Sequence, residues 1–192
     1  MNIIEAVEKE IKEYIHEYIY NSEDHYDFWN EHIKYVYEES IDLAKKYGAD
    51  DEIVRLGALL HDIALIKCVG TRADHHINGK ILAEEILRKY NYPVEKMEKV
   101  LGCVYNHRSS KNATNIEELC VADADILAHF DNIPMLFYSS FVRNKIPLNE
   151  VREWMKACFE KDYNDLSDKT KESFNEKYKM INKIILGRNL YE

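Results

Sequence analysis

A histidine and an aspartate stand side by side inside an apolar helical segment, and this pair constrains the fold strongly. The segment reads Gly-Ala-Leu-Leu-His-Asp-Ile-Ala, with His61 and Asp62 between apolar residues. A buried carboxylate without a partner is very costly, so the fold must supply a partner for Asp62. Imidazole nitrogen and carboxylate oxygen together suit a divalent cation. A structural hydrogen bond between a buried histidine and a buried aspartate is the alternative.

The composition predicts an all-α fold. The 192 residues include only 6 glycines and 3 prolines, which disfavours a chain of short strands and tight turns. Helix-forming residues are plentiful, and the length suits one domain spanning residues 1–192. Apolar residues at helical spacing predict helices over about 2–20, 27–47, from 50 or 51 through 63, from 74 through 87, 93–107, 116–130, 135–144, 148–161 and 167–187.

The charge and the cysteines limit the partners and the compartment. A net charge of −9 argues against an extended nucleic-acid surface, which needs lysine and arginine to displace counterions. A small phosphorylated substrate remains compatible, because a bound metal reverses the local field. No apolar run approaches the roughly 18 residues of a transmembrane helix. The cysteines are widely spaced, as in a cytosolic protein with reduced thiols. We therefore expect a cytoplasmic protein without a membrane partner.

Three other segments carry a histidine or an aspartate toward a helical interior. His32 precedes the apolar stripe of the second helix, and His107 extends the apolar face of the fifth helix to its end. The sixth helix carries Asp123 and Asp125 in an apolar setting. Two residues apart on a helix are about 200° apart, so only one of these aspartates can face a common centre. We predict a metal site in a bundle interior, built from these segments and the His-Asp pair.

In this order the motifs resemble the signature of the HD-domain metal-dependent phosphohydrolases: a histidine, a His-Asp pair and a distant aspartate. Here the signature reads His32, then His61-Asp62, then Asp125 in Ala-Asp-Ile-Leu. The resemblance implies that these four residues bind one divalent ion, and mixed histidine and carboxylate ligands suit manganese, iron, cobalt, nickel or magnesium. Asp123 is the alternative to Asp125.

The resemblance also implies an architecture. It covers about residues 24–130 and implies an HD-domain-like bundle of about eight or nine helices. Residues 131–192 match no motif of the family. We expect their helices to complete or cover the bundle, or to form the face of a homodimer.

Two further motifs resemble those of family members that hold two metal ions. His75-His76-Ile77-Asn78-Gly79 resembles their His-x-x-x-Gly, and His107 resembles the histidine before their polar loop. The resemblance then implies a second ion at His75 and His107, bridged to the first by Asp62. Otherwise His75 caps its helix, and His107 is a core histidine or contacts the substrate phosphate.

The function implied by the resemblance is hydrolysis of a nucleotide or another small phosphate ester or anhydride. Asp62 and His107 are the catalytic candidates. Four cations in loops after the ligand helices are candidates for binding the substrate phosphate: Lys67, Arg72, Arg108 and Lys111. Two alternatives stay open, a metal-stabilised protein that senses a nucleotide without turnover and a di-iron oxygenase of the same fold. His16 and His129 have no supporting pattern and are assigned to the surface or the core.

Overall fold

The computed structural model describes residues 2–185 and 187, and these residues form helices without any strand. The helices are α1 (Ile3–Asn21), α2 (Lys34–Tyr47), α3 (Asp51–Leu60), α4 (Ile63–Ile66), α5 (His75–Lys89), α6 (Val94–Asn106), α7 (Ile116–Asp131), α8 (Ile133–Tyr138), α9 (Val151–Asp165) and α10 (Asp168–Ile185). The all-α prediction is confirmed. The predicted last helix also included Leu186, which lies outside the described residues.

Helices α2, α3, α6 and α7 pack against one another around one apolar core. The core contains Ile33, Leu59, Leu101 and Val121, which are essentially inaccessible to solvent. Helix α5 packs on α4 and α6, while α9 and α10 pack on α7. Among the described helices, none is long and apolar enough to span a membrane.

Local signals set the start of α3, the helix that leads to the His-Asp pair. Gly48 ends α2 in the left-handed conformation with a φ of 75°, which glycine adopts without a Cβ clash. The side chain of Asp50 then accepts hydrogen bonds from the backbone N–H groups of Glu52 and Ile53. Of the two aspartates expected to cap this helix, Asp50 does so.

Two predicted helices are interrupted, and both interruptions occur at candidate metal ligands. Residues Trp29–Ile33 form one turn of π-helix at the start of α2, where a regular helix over 27–47 was expected. The helix expected to continue through Ile63 ends at Leu60, and the chain turns at His61 and Asp62 before α4. π-helical turns such as Trp29–Ile33 are frequent at functional sites.

Candidate metal centre

Four side chains from three separate segments converge at the first group of candidate ligands. His32 Nε2 lies 3.1 Å from His61 Nε2 and 3.1 Å from Asp125 Oδ1. Asp62 Oδ2 lies 3.5 Å from His32 Nε2 and 3.7 Å from His61 Nε2. The structure therefore brings together the four residues that the sequence proposed for one ion.

A second group of candidate ligands shares Asp62 with the first. The other carboxylate oxygen, Oδ1, lies 3.2 Å from His75 Nε2 and 3.8 Å from His107 Nε2. The two imidazole nitrogens are 2.9 Å apart. Asp62 is thus placed between two sets of ligand atoms, one at each of its oxygens.

Backbone hydrogen bonds set the orientation of three of these histidines. His61 donates its Nδ1 proton to Ala58 O at 2.8 Å, and His107 donates to Val104 O at 2.7 Å. His75 donates in the same way to Arg72 O at 2.8 Å. A carbonyl oxygen can only accept, so in each neutral ring the Nε2 atom carries a lone pair aimed into the cluster. This arrangement is typical of histidines that bind metals.

The donor set fits a divalent ion in both groups. Neighbouring ligands lie about 2.9 Å apart around an octahedral magnesium ion and about 3.4 Å apart around a tetrahedral zinc ion. The separations of 2.9–3.8 Å between the candidate atoms span these values. Imidazole nitrogen with carboxylate oxygen suits zinc and the first-row transition metals more than calcium.

The protonation states also favour cation binding. Burial raises the pKa of Asp62, but the surrounding histidines outweigh this effect and hold its pKa well below the usual range. Burial likewise raises the pKa of Asp125, and the contact with His32 more than reverses the shift. Burial lowers the pKa of His107 to about 4, so this ring is neutral at pH 7 and its lone pair is free to bind.

The break at His61 and Asp62 explains how adjacent residues serve one centre. Neighbours on a continuous helix diverge by about 100°, whereas here α3 has ended and Asp62 adopts a φ of −104° and a ψ of 16°. Gly79 allows α5 to approach this break. A Cβ at Gly79 would lie 3.4 Å from His61 O and 3.3 Å from a methyl group of Val104.

The π-helical turn that carries His32 is attached to the end of α7. Asn132 donates from its side-chain nitrogen to the carbonyl oxygen of Glu31 at 2.8 Å and to its carboxylate at 2.9 Å. The side chain of Asn132 also caps α8 by accepting from Met135 N. These contacts hold the turn beside α7, the helix that supplies Asp125.

Asp123, the alternative ligand, faces away from the cluster. Its carboxylate is inaccessible to solvent and accepts hydrogen bonds from Ser110 Oγ, Ser167 N, Ser167 Oγ and Thr170 Oγ1 at 2.5–2.8 Å. These donors belong to the loop after α6 and to the start of α10. Asp123 therefore attaches the C-terminal helices to α7, and Asp125 is the aspartate that reaches the other candidate ligands.

The candidate ligands line a cleft of about 230 Å³ with three cations at its walls: Arg72, Arg108 and Lys161. Arg72 and Arg108 were proposed from the sequence, and Lys161 was not. The other two proposed cations are placed elsewhere. Lys67 Nζ lies 3.7 Å from the ring centre of Tyr14, and Lys111 Nζ lies 2.9 Å from Asp165 Oδ1. Their positions remove the expectation that these two lysines line this cleft.

His129, assigned from the sequence to the surface or core, also lines the cleft. Its ring stacks on that of His32, and its Nδ1 lies 2.9 Å from Asp162 Oδ2. A ligand atom of His129 lies within 4.8 Å of those of His32 and Asp125. Its position one helical turn after Asp125 is the sequence signal that could have identified it, whereas Asp162 lies on α9 and carries no such signal.

Comparison with known proteins yields two findings. The family model of the HD domain matches residues 30–129, more than half of the chain. A crystal structure of a predicted HD superfamily hydrolase from an uncultured Thermotogales bacterium is 18% identical, with a TM-score of 0.64 over 96% of this chain and 95% of that one. At this identity the similarity shows the fold alone. No curated protein sequence matches the chain significantly.

Proposed function

The chain belongs to the HD domain family, and from this premise we propose that it is a metal-dependent phosphohydrolase. The substrate is a nucleotide or another small phosphate ester or anhydride. The metal ligands are His32, His61, Asp62 and Asp125 at one ion and Asp62, His75 and His107 at a second. We thus favour two ions over the single ion expected from the sequence.

One observation carries this proposal: the carboxylate of Asp62 is shared between two sets of ligand atoms at the base of a cationic cleft. A pair of divalent ions in such a site supplies a water of lowered pKa and positive charge for the phosphoryl oxygens. The cleft residues then have separate tasks. Arg72, Arg108 and Lys161 attract and orient the anionic substrate, although the chain as a whole carries a charge of −9.

The role that we propose for His107 differs from the catalytic role expected from the sequence. Its Nδ1 is used by the backbone and its Nε2 faces Asp62 and His75, so its task in this proposal is to bind metal. Asp62 keeps its expected task as a metal ligand. Its low pKa leaves the carboxylate ionised, so it can hold cations, but the same low pKa makes it a weak acceptor for a proton.

Metal analysis combined with hydrolysis assays tests the proposal. Protein purified without chelator should contain a divalent metal and release phosphate or pyrophosphate from members of a nucleotide panel. Chelation should abolish the activity, and manganese or another ion should restore it. Asp62→Ala should lose both metal and activity, whereas Asp42→Ala, a control at an exposed position on α2, should keep the metal.

The outcomes separate the proposal from its alternatives. Unaltered hydrolysis in Asp62→Ala would overturn the proposal. Nucleotide binding without turnover in the metal-loaded protein would favour a sensor. Oxygen consumption by an iron-loaded protein that hydrolyses no phosphate compound would favour an oxygenase.

A further inference from the structure

The cleft of about 230 Å³ at the candidate ligands is called the metal-side cleft from here on. A second cavity of about 320 Å³ adjoins it, and Arg72, His129 and Lys161 line both. Its remaining wall comes from α8, α9 and the π-helical turn Ser139–Arg143. These elements lie after residue 129, beyond the part of the chain that the HD domain model matches. The C-terminal helices, whose role the sequence left open, therefore extend the cleft.

The size of the metal-side cleft indicates that a substrate extends beyond it. Small-molecule sites usually enclose roughly 300–1,000 Å³, and this cleft encloses about 230 Å³. Because the second cavity shares three lining residues with the first, it is the adjoining space for the rest of a phosphorylated molecule.

The walls of the second cavity are mainly apolar. Leu136, Trp154 and Cys158 contribute to them, and burial raises the pKa of the Cys158 thiol to about 11, so this group is neutral at pH 7. Trp154 is half-buried, and its indole N–H has no hydrogen-bond partner among residues 2–185. The indole therefore offers an aromatic face and one free donor.

Three polar side chains of this cavity, from Ser139, Arg143 and Asn144, are already bonded to protein atoms. Arg143 pairs with Asp24 at 2.8 Å and lies 4.1 Å from the ring centre of Tyr26. Asn144 donates to Ser139 O at 3.0 Å, and Ser139 Oγ donates to a methionine sulfur. A sugar or a phosphate chain would need several free partners here, whereas a flat ring needs few.

Arg72 stands where the two cavities meet. Its side chain is exposed and makes no hydrogen bond or ion pair within the described part of the chain, so it is available to an anion. A molecule with a phosphate in the metal-side cleft and an uncharged ring in the second cavity would place negative charge beside Arg72. It would place its apolar part beside Trp154.

We propose that the second cavity binds the organic part of the substrate, and that this part carries a flat, uncharged aromatic ring stacked on Trp154. The inference rests on the proposed function, because the metal-side cleft then holds the phosphate. Trp154 is in this view the residue that determines specificity for the organic part, and it belongs to α9.

Two pairs of substrates isolate the contribution of the ring. Adenosine 5′-monophosphate and ribose 5-phosphate differ only at C1′, where the first carries the base and the second a hydroxyl, and ATP and ribose 5-triphosphate provide the corresponding comparison for anhydrides. We expect kcat/KM to be tenfold or more higher for the ring-bearing member, which is the scale of base stacking on an aromatic side chain. Equal values in both pairs would overturn the inference.

Variants of Trp154 assign the preference to this residue. Trp154→Ala should raise KM for the ring-bearing substrate about tenfold, with little change in kcat and none for the ring-free partner. Trp154→Phe, which keeps a flat ring, should retain most of the preference. Phe137→Ala, a control on α8 that does not line the cavity, should behave as the unaltered protein. An equal loss of activity on both substrates in Trp154→Ala would indicate a structural role and contradict the inference.

A binding measurement remains decisive even if no phosphate compound is hydrolysed. The chain has 2 tryptophans, so the change of fluorescence on binding can be assigned by comparison with Trp154→Phe. Adenosine or uridine should quench the emission of the manganese-loaded protein, and the quenching should disappear in Trp154→Phe. Ribose 5-phosphate should not quench it. If neither adenosine nor uridine quenches the emission, the inference that the second cavity binds an aromatic ring is rejected. Absence of hydrolysis alone would reject only the proposed function.

Discussion

The Nε2 atoms of His75 and His107 lie 2.9 Å apart, and neither neutral ring can donate a proton to the other. Each ring already donates its Nδ1 proton to the carbonyl oxygen three residues earlier. Two lone pairs at this separation repel each other unless a metal ion or a proton lies between them. Asp62 adds a negative oxygen at 3.2 Å from His75. A metal ion or a proton is therefore needed to stabilise this part of the cluster.

Replacing His75 should remove one ion and leave the other. We expect two metal ions per chain in the unaltered protein and one in His75→Ala, because the ligands of the first group do not include His75. His76→Ala is the matched control, since His76 is adjacent in sequence but belongs to neither group. Elemental analysis after equilibration with manganese measures the stoichiometry. Two ions in His75→Ala would show that this residue is not a ligand.

Replacement of Asp123 by alanine should lower the stability of the protein, whereas replacement of Asp125 should weaken metal binding. Asp123→Ala leaves the donors of Ser110, Ser167 and Thr170 without their acceptor. The free energy of unfolding should therefore fall by about 3 kcal/mol or more. For a chain of this size that is a fall in Tm of roughly 6–12 °C. Asp125→Ala should instead weaken metal binding, with a smaller change in the Tm of the metal-free protein.

Calorimetry of the metal-free proteins and metal analysis of the loaded ones separate the two roles. If Asp123→Ala does not fold, Thr170→Val supplies the test, because it removes one donor and keeps the shape of the side chain. Thr170→Val should lower Tm and retain the metal. Loss of metal in Thr170→Val would contradict the division of roles between the two aspartates.

The helices were predictable from the sequence because their signals are local. The expected range 116–130 compares with α7 at Ile116–Asp131, and Asn115 caps this helix through its own side chain. The choice between Asp123 and Asp125 was not predictable in the same way. Helix α7 is buried on nearly all sides, so its apolar residues do not reveal which face meets the ligands.

The rest of the site depends on contacts between distant parts of the chain. The π-helical turn at His32 is held by Asn132, about 100 residues later, and the partner of His129 is Asp162 on α9. Lys161 reaches the cleft from the same helix. Spacing along one helix carries no information about such pairs. Sequence reasoning therefore proposed the four ligands at the first group and missed the contribution of α9.

Metal removal should destabilise the whole fold. A ligand present at about 100 times its Kd stabilises the folded state by about 2.7 kcal/mol, which corresponds here to a rise in Tm of roughly 5–10 °C for each ion. Thermal unfolding with manganese and with a chelator measures the difference. Asp62→Ala should show almost no response to manganese, because both groups of ligands lose an oxygen. A full response in Asp62→Ala would place the stabilising ions elsewhere.

Glu10 should make the stability of the protein depend on pH in the acid range. This buried carboxylate accepts hydrogen bonds from Tyr14 at 2.6 Å, Tyr90 at 2.7 Å and Lys89 at 2.9 Å, joining α1 to the end of α5. Burial raises its pKa, but these three donors outweigh the effect and lower the pKa below the usual 4.5. A carboxylate with a lowered pKa stabilises the fold when it is ionised. The contribution is therefore complete above about pH 4.5 and is lost as the pH falls through the pKa of the folded state.

Comparison of Glu10→Gln with the unaltered protein measures this contribution. Chemical unfolding should show a loss of about 1–3 kcal/mol at pH 7, the scale of hydrogen bonds to a charged group. The difference should stay constant between pH 6 and 8 and shrink as the pH falls below about 4.5, because the carboxylate of the unaltered protein then becomes protonated. Glu13→Gln, at an exposed position on the same helix, should change stability by less than about 0.5 kcal/mol at any pH. A difference for Glu10→Gln that grew toward low pH would have the wrong sign for a lowered pKa and would show that Glu10 is neutral in the folded protein.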